Sequence, residues 1–545
     1  MRRLLPLALV ALLALTLIPG LAAVEALDVR EARDAQVVRE SLVGPEWVTP
    51  VYAHAPFFEK PFLGYAPEMI ASRGLARRFG RVVPATDVAA SRAVRALFAM
   101  ALALLVATIG TRAFGARAGW LAGCALASTV GLPLATRMDG GVLFATLCSW
   151  LAIGLFLELL LGRSRRRDVT RLVAWFALGA AGLAGGPLSA LWPVGGFALY
   201  FALARSRDAW KEVRPWSGLA IVVGLALPWY GLMTALYGRT FLVHALAFPY
   251  AEGVRGAWFT GPLLALSYPM ALGFPWSPML AASLRDAAGR LRRTGAATAL
   301  TDSGHAASLL LALLVAAGVP IAFYPGPPLT AALPTLPALA LLCGRFVDRV
   351  LDGDADGRLL ATSARVTAGL GTVIALLAAL LGTRIPDAAP GLRLLAAALF
   401  ITAWAPLLAD LAGRRKLAAA LFALPVALGA PLMTTKVLPP LEPWLDTRDV
   451  AEGMETAAPA RAPLVLLEPA PPSLRLLLPR NLVTVDALDA RLASLAARDG
   501  NTYLAFPPAR EHAVASTSPA PLEILLRSPT LVLARVRVGA PALTP

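Results

Sequence analysis

Residues 1–41 read MRRLLPLALVALLALTLIPGLAAVEALDVREARDAQVVRES, and residues 53–61 read AHAPFFEKP. The first of these passes from two arginines through an apolar run, Leu4–Ala23, into a segment dense in charge. A span of hydrocarbon needs about 20 apolar residues, so Leu4–Ala23 reads as a membrane helix and the charged segment after it as exported chain. A cleaved signal peptide is the alternative, because LAAVEA resembles a small-residue cleavage site. A retained helix agrees better with the many later apolar runs.

Those runs fill most of the 545 residues. The chain is 57% hydrophobic and only 15% charged, against about 45–50% and 25% for soluble domains, which makes it an integral membrane protein. The length test yields about thirteen spans, centred near Leu15, Leu102, Ala125, Leu151, Leu178, Phe197, Val223, Leu266, Leu314, Leu336, Ile374, Leu399 and Phe422. Within Leu172–Leu203 the breakers Gly185-Gly186-Pro187 demand two short helices.

The formal charge of +16 does not point to nucleic acid, since the arginines sit in short clusters between apolar runs. Counting alternately from a cytoplasmic N-terminus, the inside loops carry Arg112 and Arg117, then GRSRRRDVTR (162–171), ARSRDAWKEVR (204–214), RDAAGRLRRTG (285–295), CGRFVDRV (343–350) and GRRK (413–416). The outside loops are arginine-poor or mixed, as the positive-inside rule requires. Cys124, Cys148 and Cys343 are scattered through apolar runs and suggest neither a disulfide framework nor a metal site.

Exported chain then lies at 25–90, at 237–261 and from about 435 onward, giving a transmembrane domain over 1–434 and a soluble domain over 435–545. In the tail, PLVLLEP, NLVTVDA, TYLAFP, LEILL and LVLARVRV read as short strands, and DALDARLASLAARDG as an amphipathic helix. Together they predict a small α/β domain. No internal repeat is evident, which counts against a transporter built from inverted halves.

Chemistry belongs on the exported side. Asp28, Arg30, Glu31, Arg33 and Asp34 fall within two helical turns, and helical spacing brings Arg30 and Asp34 to one face with Glu31 beside it. A solvated helix lying at the interface has the same composition. In FFEKP, aromatics seat a charge pair at headgroup level, and Lys60 is a compact cation suited to phosphate. A snorkelling lysine is the plainer reading. Asp139 in RMDGG opens an apolar run, where an acid is a functional candidate by default and also a good helix N-cap, with Arg137 as an available partner. His244 and Arg255 share the second exported loop, whose Phe248, Tyr250, Trp258 and Phe259 read as an interface belt.

The order REARDAQVVRES, FFEKP, RMD, GGP, PWY, FLVHALAF, RGAW, FPWSP and LPTLPALALL resembles the bacterial branch of the C-type glycosyltransferases, relatives of the protein O-mannosyltransferases and of the aminoarabinose transferase that modifies lipid A. The resemblance spans the transmembrane part, and the tail matches in kind. It implies an all-α polytopic membrane fold with a small C-terminal periplasmic α/β domain, in a bacterial inner membrane. It also implies transfer of a sugar from a polyprenyl-phosphate donor to a lipid, lipid A phosphate included, or to another periplasmic acceptor such as a protein.

By the same resemblance Glu31, Arg33, Lys60 and Asp139 take the positions of the family's acidic, basic and phosphate-binding residues, and Glu59 and His244 those of a divalent metal pair (zinc, magnesium or manganese). Asp139, Glu31 and Asp28 become the catalytic candidates, and Lys60, Arg30, Arg33, Arg137 and Arg255 the phosphate binders. The chain departs from the pattern at Arg30, where the family has its first acidic residue, at Ala247, where it has arginine, and at Gly185, where it often has lysine. A carboxylate base is needed for a hydroxyl acceptor but not for an acceptor that is already a phosphate anion. Arg30 therefore predicts an anionic acceptor, or a base moved to Asp28 or Asp139. A lipid-linked-sugar flippase and a catalytically degenerate member are the competing classes. Oligomeric state is open.

Overall fold

The computed structural model describes residues 4–27, 30–43, 48–78, 88–204, 207–247, 263, 267–286, 302–323, 331–459, 462, 464–467, 471–478, 482–485, 501–518 and 521–537. The expected span at Leu266, the tail helix over 486–500, the aromatic belt residues, and Asp28 and Arg255 lie outside them.

The described chain is a helical bundle. Helices α1 (Leu4–Leu17), α2 (Arg30–Val43), α3 (Ala66–Arg78), α4 (Val88–Phe114), α5 (Ala116–Ala127), α6 (Gly131–Met138), α7 (Gly140–Leu160), α8 (Arg167–Gly185), α9 (Pro187–Ala204), α10 (Arg207–Val213) and α11 (Pro215–Leu242) make its first half. Among the described helices, six are long and apolar enough to cross a membrane, seven if the α5–α6 pair, bent by 51°, counts as one. Leu4–Leu17, Pro187–Ala202 and Ala306–Ile321 are shorter apolar helices. Among the described residues the length test thus finds fewer spans than the thirteen expected, the one at Leu266 lying outside them. The physical reason is fragmentation: apolar stretches are cut by breakers, as at Gly186 with φ +85° between α8 and α9, and the run around Leu336 gives a helix of only 17 residues.

One core holds the bundle together. Helix α4 packs on α5 and α7, α7 on α8, and the helix Leu336–Asp352 on α5. Trp150, Phe156, Leu102 and Phe346 are buried there. In a bilayer the outer faces meet lipid, so the close-packed contacts between helices rather than hydrophobic exclusion fix their arrangement.

The expected tail strands form a single five-stranded sheet. With the short hairpin β1 (Val51–Tyr52) and β2 (Ala55–Pro56) counted first, they are β3 (Leu464–Leu467), β4 (Leu482–Val485), β5 (Asn501–Phe506), β6 (Leu522–Arg527) and β7 (Val532–Arg537), in the order β4-β3-β5-β7-β6. β3 runs parallel to β4 and β5, while β7 is antiparallel to β5 and β6. Leu464 and Leu466 face the helices Arg448–Ala457 and Pro472–Leu477, and Val465 and Leu467 face the opposite cluster with Phe506 and Val514. Burial on both faces explains why the central β3 reads as an unbroken apolar run, LVLL.

The tail touches the bundle at α2. Arg39 donates to the carbonyls of Leu476 (2.7 Å) and Arg475 (2.9 Å) at the end of Pro472–Leu477. Leu476 packs with Ala26, Ala32, Ala35 and Val88, and Arg448 meets Glu25 at 3.2 Å.

Candidate functional site

Helix α2 forms as the spacing predicts, but it is no solvated interface helix: Glu31, Ala32, Asp34, Ala35, Val37 and Val38 are buried. Its charged residues separate onto two networks, and the helix rotation decides which residue joins which.

The first network is an anchor. Glu31 accepts from Arg92 Nε and Nη2 at 2.8 Å each, from Arg95 at 3.4 Å and from the Leu27 backbone N–H at 2.9 Å. Arg92 also donates to the carbonyls of Leu21, Val24 and Glu25, and Arg95 pairs with Glu68 at 2.7 and 2.9 Å. Arg92 and Arg95 are fully buried at the start of α4. With every Glu31 oxygen held by guanidinium or amide, this carboxylate fixes the chain where α2 enters the bundle.

The second network lies at the same end of the bundle. Lys60 Nζ sits 2.6 Å from Asp34 Oδ2 and 2.9 Å from Asp139 Oδ1. Arg30 reaches Asp139 Oδ2 at 2.9 Å and Glu59 at 3.4 Å, and Arg33 meets Glu59 at 2.6 Å. Lys60 is 5% exposed, Asp34 2% and Asp139 1%. Asp139 is also the N-cap of α7, accepting from Val142 N–H at 3.0 Å. The N-cap role expected of it is filled, and the same carboxylate also holds Lys60 and Arg30. The two glycines after it are required by close approach: a Cβ on Gly140 would collide with the Glu68 carboxylate, and one on Gly141 would press on the Lys60 stem at 3.1 Å.

Environment separates the two carboxylates that share Lys60. Burial disfavours the charge on Asp139, yet Lys60, Arg30 and the Val142 N–H outweigh it and hold the carboxyl down to about 2. At Asp34 burial dominates and the Asp139 charge adds to it, so the carboxyl is pushed up to about 6 despite Lys60. Burial also opposes the Lys60 charge, but Asp139, Asp34 and Glu59 push the ammonium up to about 12. The result is a fixed cation between a fixed anion and a carboxylate close to its titration point, a pattern of divergent environments that marks functional sites.

Around this core, Tyr65 presents its ring to Lys60 at 5.1 Å, and its buried hydroxyl has no hydrogen-bond partner among the described residues. Burial pushes that phenol well above its ordinary value. Arg33 stacks on Phe57 at 5.4 Å, and its Nε is likewise without a partner among the described residues. Phe58 packs on Tyr237, Phe241 and His244 (ring centroids 5.1, 5.2 and 6.4 Å apart), fastening the FFEKP loop to the end of α11.

Several expectations need correcting. Arg137 does not pair with Asp139; it turns toward the carbonyls of Pro133 and Pro19 at 3.3 and 3.0 Å, which also accept from the hydroxyls of Thr136 and Thr434. Arg30 is not a free fork, since its guanidinium bridges Asp139 and Glu59. The metal pair finds no support: Glu59 is bridged by two arginines, His244 Nδ1 lies 2.8 Å from the Thr240 carbonyl, and no group of three or more potential ligands occurs among the described residues. Arg92, Arg95 and Glu68 stand outside the candidates named from the sequence, where Asp34 enters only as a helix neighbour of Arg30 with no role of its own. The signal for Asp34 was its i, i+4 relation to Arg30. That for the two arginines was a pair of charges three residues apart inside an apolar run.

No protein-family model matches the chain. It is similar to the undecaprenyl phosphate-alpha-4-amino-4-deoxy-L-arabinose arabinosyl transferase of Pseudomonas aeruginosa (strain LESB58), 32% identical over 273 residues, 47% of this chain and 46% of that protein. The protein of the same description from Pectobacterium carotovorum subsp. carotovorum (strain PC1) is 28% identical over 379 residues, 65% of this chain and 60% of that one. The matched region thus spans about half the length of the Pseudomonas relative. Among solved structures, ArnT from Cupriavidus metallidurans bound to undecaprenyl phosphate superposes with a TM-score of 0.73 at 18% identity, covering 97% of each chain. The apo Archaeoglobus fulgidus oligosaccharyltransferase gives 0.52 at 12% identity, over 94% of this chain and 70% of that one. At these identities the structural likeness establishes the fold, which is that of ArnT.

Proposed function

We propose that this chain is a membrane glycosyltransferase that moves a sugar from a polyprenyl-phosphate donor to an anionic lipid acceptor. The observation that carries the reading is the Lys60 ammonium, buried between Asp34 and Asp139 at one end of an apolar helical bundle. A buried lysine held charged is a ready counter-ion for a phosphate that arrives from the bilayer. The similar enzymes are described as undecaprenyl phosphate aminoarabinose transferases, and a pentose of that kind is the donor sugar we assign.

In the transfer, the bond between the sugar's anomeric carbon and the donor phosphate oxygen breaks, with its electron pair going to the phosphate. A new bond forms from that carbon to the acceptor oxygen. Lys60, with Arg33 beside it, stabilises the charge growing on the departing polyprenyl phosphate. Asp139, held as an anion by Lys60, Arg30 and Val142, is too weak a base to take a proton from a hydroxyl and serves to position the cations. An acceptor phosphate, such as one on lipid A, loses no proton on attack and suits a site so built. No step is routed through a metal, because arginines and a backbone carbonyl already engage Glu59 and His244.

The topology belonging to this reading has about thirteen crossings, a cytoplasmic N-terminus, and the site and the domain over 435–545 on the periplasmic side of a bacterial inner membrane. The arginines at helix ends support it: α4 and α7 both start beside the charged networks, and at their far ends Arg112 pairs with Glu158 and Arg163 donates to the Arg112 carbonyl, with Arg117 on Asp348 nearby.

Purified protein in lipid vesicles tests the reading with labelled polyprenyl-phosphate aminoarabinose and an anionic glycolipid. Release of free polyprenyl phosphate with label on the glycolipid is expected. Donor crossing the leaflets intact would make the protein a flippase, and binding without turnover would make it a degenerate member. Arg30→Asp is expected to lower transfer to the anionic acceptor; a gain in transfer to a hydroxyl acceptor would sink the anionic assignment.

A further inference from the structure

The two carboxylates that share Lys60 are not equivalent in what else they hold. Asp139 keeps Arg30 and the Val142 N–H if Lys60 turns away. Asp34 keeps nothing: Lys60 is its one ion-pair partner among the described residues, and its Oδ1 is buried with no hydrogen-bond partner among them. The charge of the cluster is also balanced, with Arg30, Arg33 and Lys60 against Asp34, Glu59 and Asp139. Any anion seated on Lys60 leaves the cluster one negative charge in excess, and the excess falls on the carboxylate with no second partner. An unpartnered buried carboxylate is costly by several kcal/mol, and such a group neutralises by taking up a proton.

We propose that binding of a phosphodiester at Lys60 is coupled to uptake of one proton by Asp34, so that Asp34 works as the positioning residue that adjusts the charge of the site as donor arrives. The inference rests on the transferase reading and deepens it. A proton from water joins Asp34, Lys60 transfers its hydrogen bonds to the phosphate, and departure of the phosphate returns both.

The surroundings of Asp34 agree. Burial already places it near about 6, so a modest loss of countercharge carries it through neutral pH. Facing it from other elements are Lys60, with Glu59 and Tyr65 of the same loop, Arg95 of α4 and Asp139 of α7. The other elements packed on α2 carry Tyr52 (β1), Glu68 and Arg73 (α3), Arg137 (α6) and Arg475 (Pro472–Leu477), and its own helix carries Arg30, Glu31, Arg33, Arg39 and Glu40. Glu68 and Glu31 are neutralised by Arg92 and Arg95, and Arg137 is turned to backbone carbonyls, which leaves Lys60 as the ion-pair partner that an incoming anion removes.

The probe is methyl farnesyl phosphate, a diester with one fixed negative charge, so the ligand does not itself titrate. Its dissociation constant is measured on the detergent-solubilised full chain across neutral pH. Above the pKa of the free site the wild type is expected to weaken about tenfold per pH unit, the slope for one proton taken up per ligand bound. Asp34→Asn is expected to bind with no such slope and more tightly than wild type at alkaline pH. Calorimetry in two buffers of different ionisation enthalpy gives the proton count on unmodified protein, which keeps the test valid should the variant not fold. Binding with a flat pH profile and no proton uptake overturns the coupling while leaving the transferase reading intact. Absence of diester binding at every pH overturns both.

Discussion

Replacing Lys60 by methionine removes the cation that two buried carboxylates share, and the structure limits how much that can cost the fold. Breaking a buried pair ordinarily destabilises by about 3–5 kcal/mol. Asp139 retains Arg30 and Val142, so the loss concentrates on Asp34, which can escape it by protonation. Neutralising a carboxyl with the ordinary value of 3.8 at about pH 7 costs roughly 4 kcal/mol at 1.36 kcal/mol per pH unit. Burial has already raised Asp34 to about 6, so roughly 3 kcal/mol of this is present in the native protein. The increment through Asp34 is about 1 kcal/mol, and the lost Asp139 contact adds a similar amount. Lys60→Met is therefore expected to remain folded, with an unfolding temperature lower by a few degrees. Transfer should fall by about 100–1000-fold, the usual effect of deleting one donor to a developing oxyanion. The assay is release of labelled polyprenyl phosphate in vesicles, beside thermal unfolding of the same preparation. Transfer within tenfold of wild type would refute the placement of the phosphate at Lys60. Loss of folding would refute the argument that Asp34 buffers the change.

Two further outcomes separate support from chemistry. Glu31→Gln strips the carboxylate from two fully buried arginines, and a stability loss of about 3–5 kcal/mol is expected, while transfer per folded molecule stays within about tenfold; a variant as stable as wild type but without transfer would return Glu31 to the chemistry. Arg39→Ala removes two charge-assisted bonds from α2 to the carbonyls of Leu476 and Arg475, each worth about 1.5–3 kcal/mol. Limited proteolysis should then cut the tail about tenfold faster or more, and an unchanged rate would show that the remaining contacts, Leu476 in the Ala32–Ala35 cluster and Arg448 with Glu25, suffice.

Hydropathy, arginine placement and breaker residues are properties of neighbouring residues, and the features that depend on them were legible without coordinates. Residue order was enough to show that the chain is a membrane protein, that α8 and α9 part at Gly186, that Asp139 caps α7, and that the tail runs LVLL, LVTV, YLAF, LEILL and VLARVR are strands. It also brought Lys60 and Asp139 forward as candidates through their residue types and their places beside apolar runs, and the two pair at 2.9 Å. The partners within the charged helix were settled by packing between distant segments. Glu31 and Asp34 stand three residues apart on α2, and local sequence gives each an equal claim to the cation. The choice is made by Arg92 and Arg95, some sixty residues away, which capture Glu31 and so turn Asp34 toward Lys60. The same holds for the fragmented spans and for Arg30, whose guanidinium is taken by Asp139 across 109 positions of chain. Whether a charge in a membrane protein is a support or a reactive group depends on which opposite charge reaches it first in the packed bundle, and that partner is a matter of distance in space rather than along the chain.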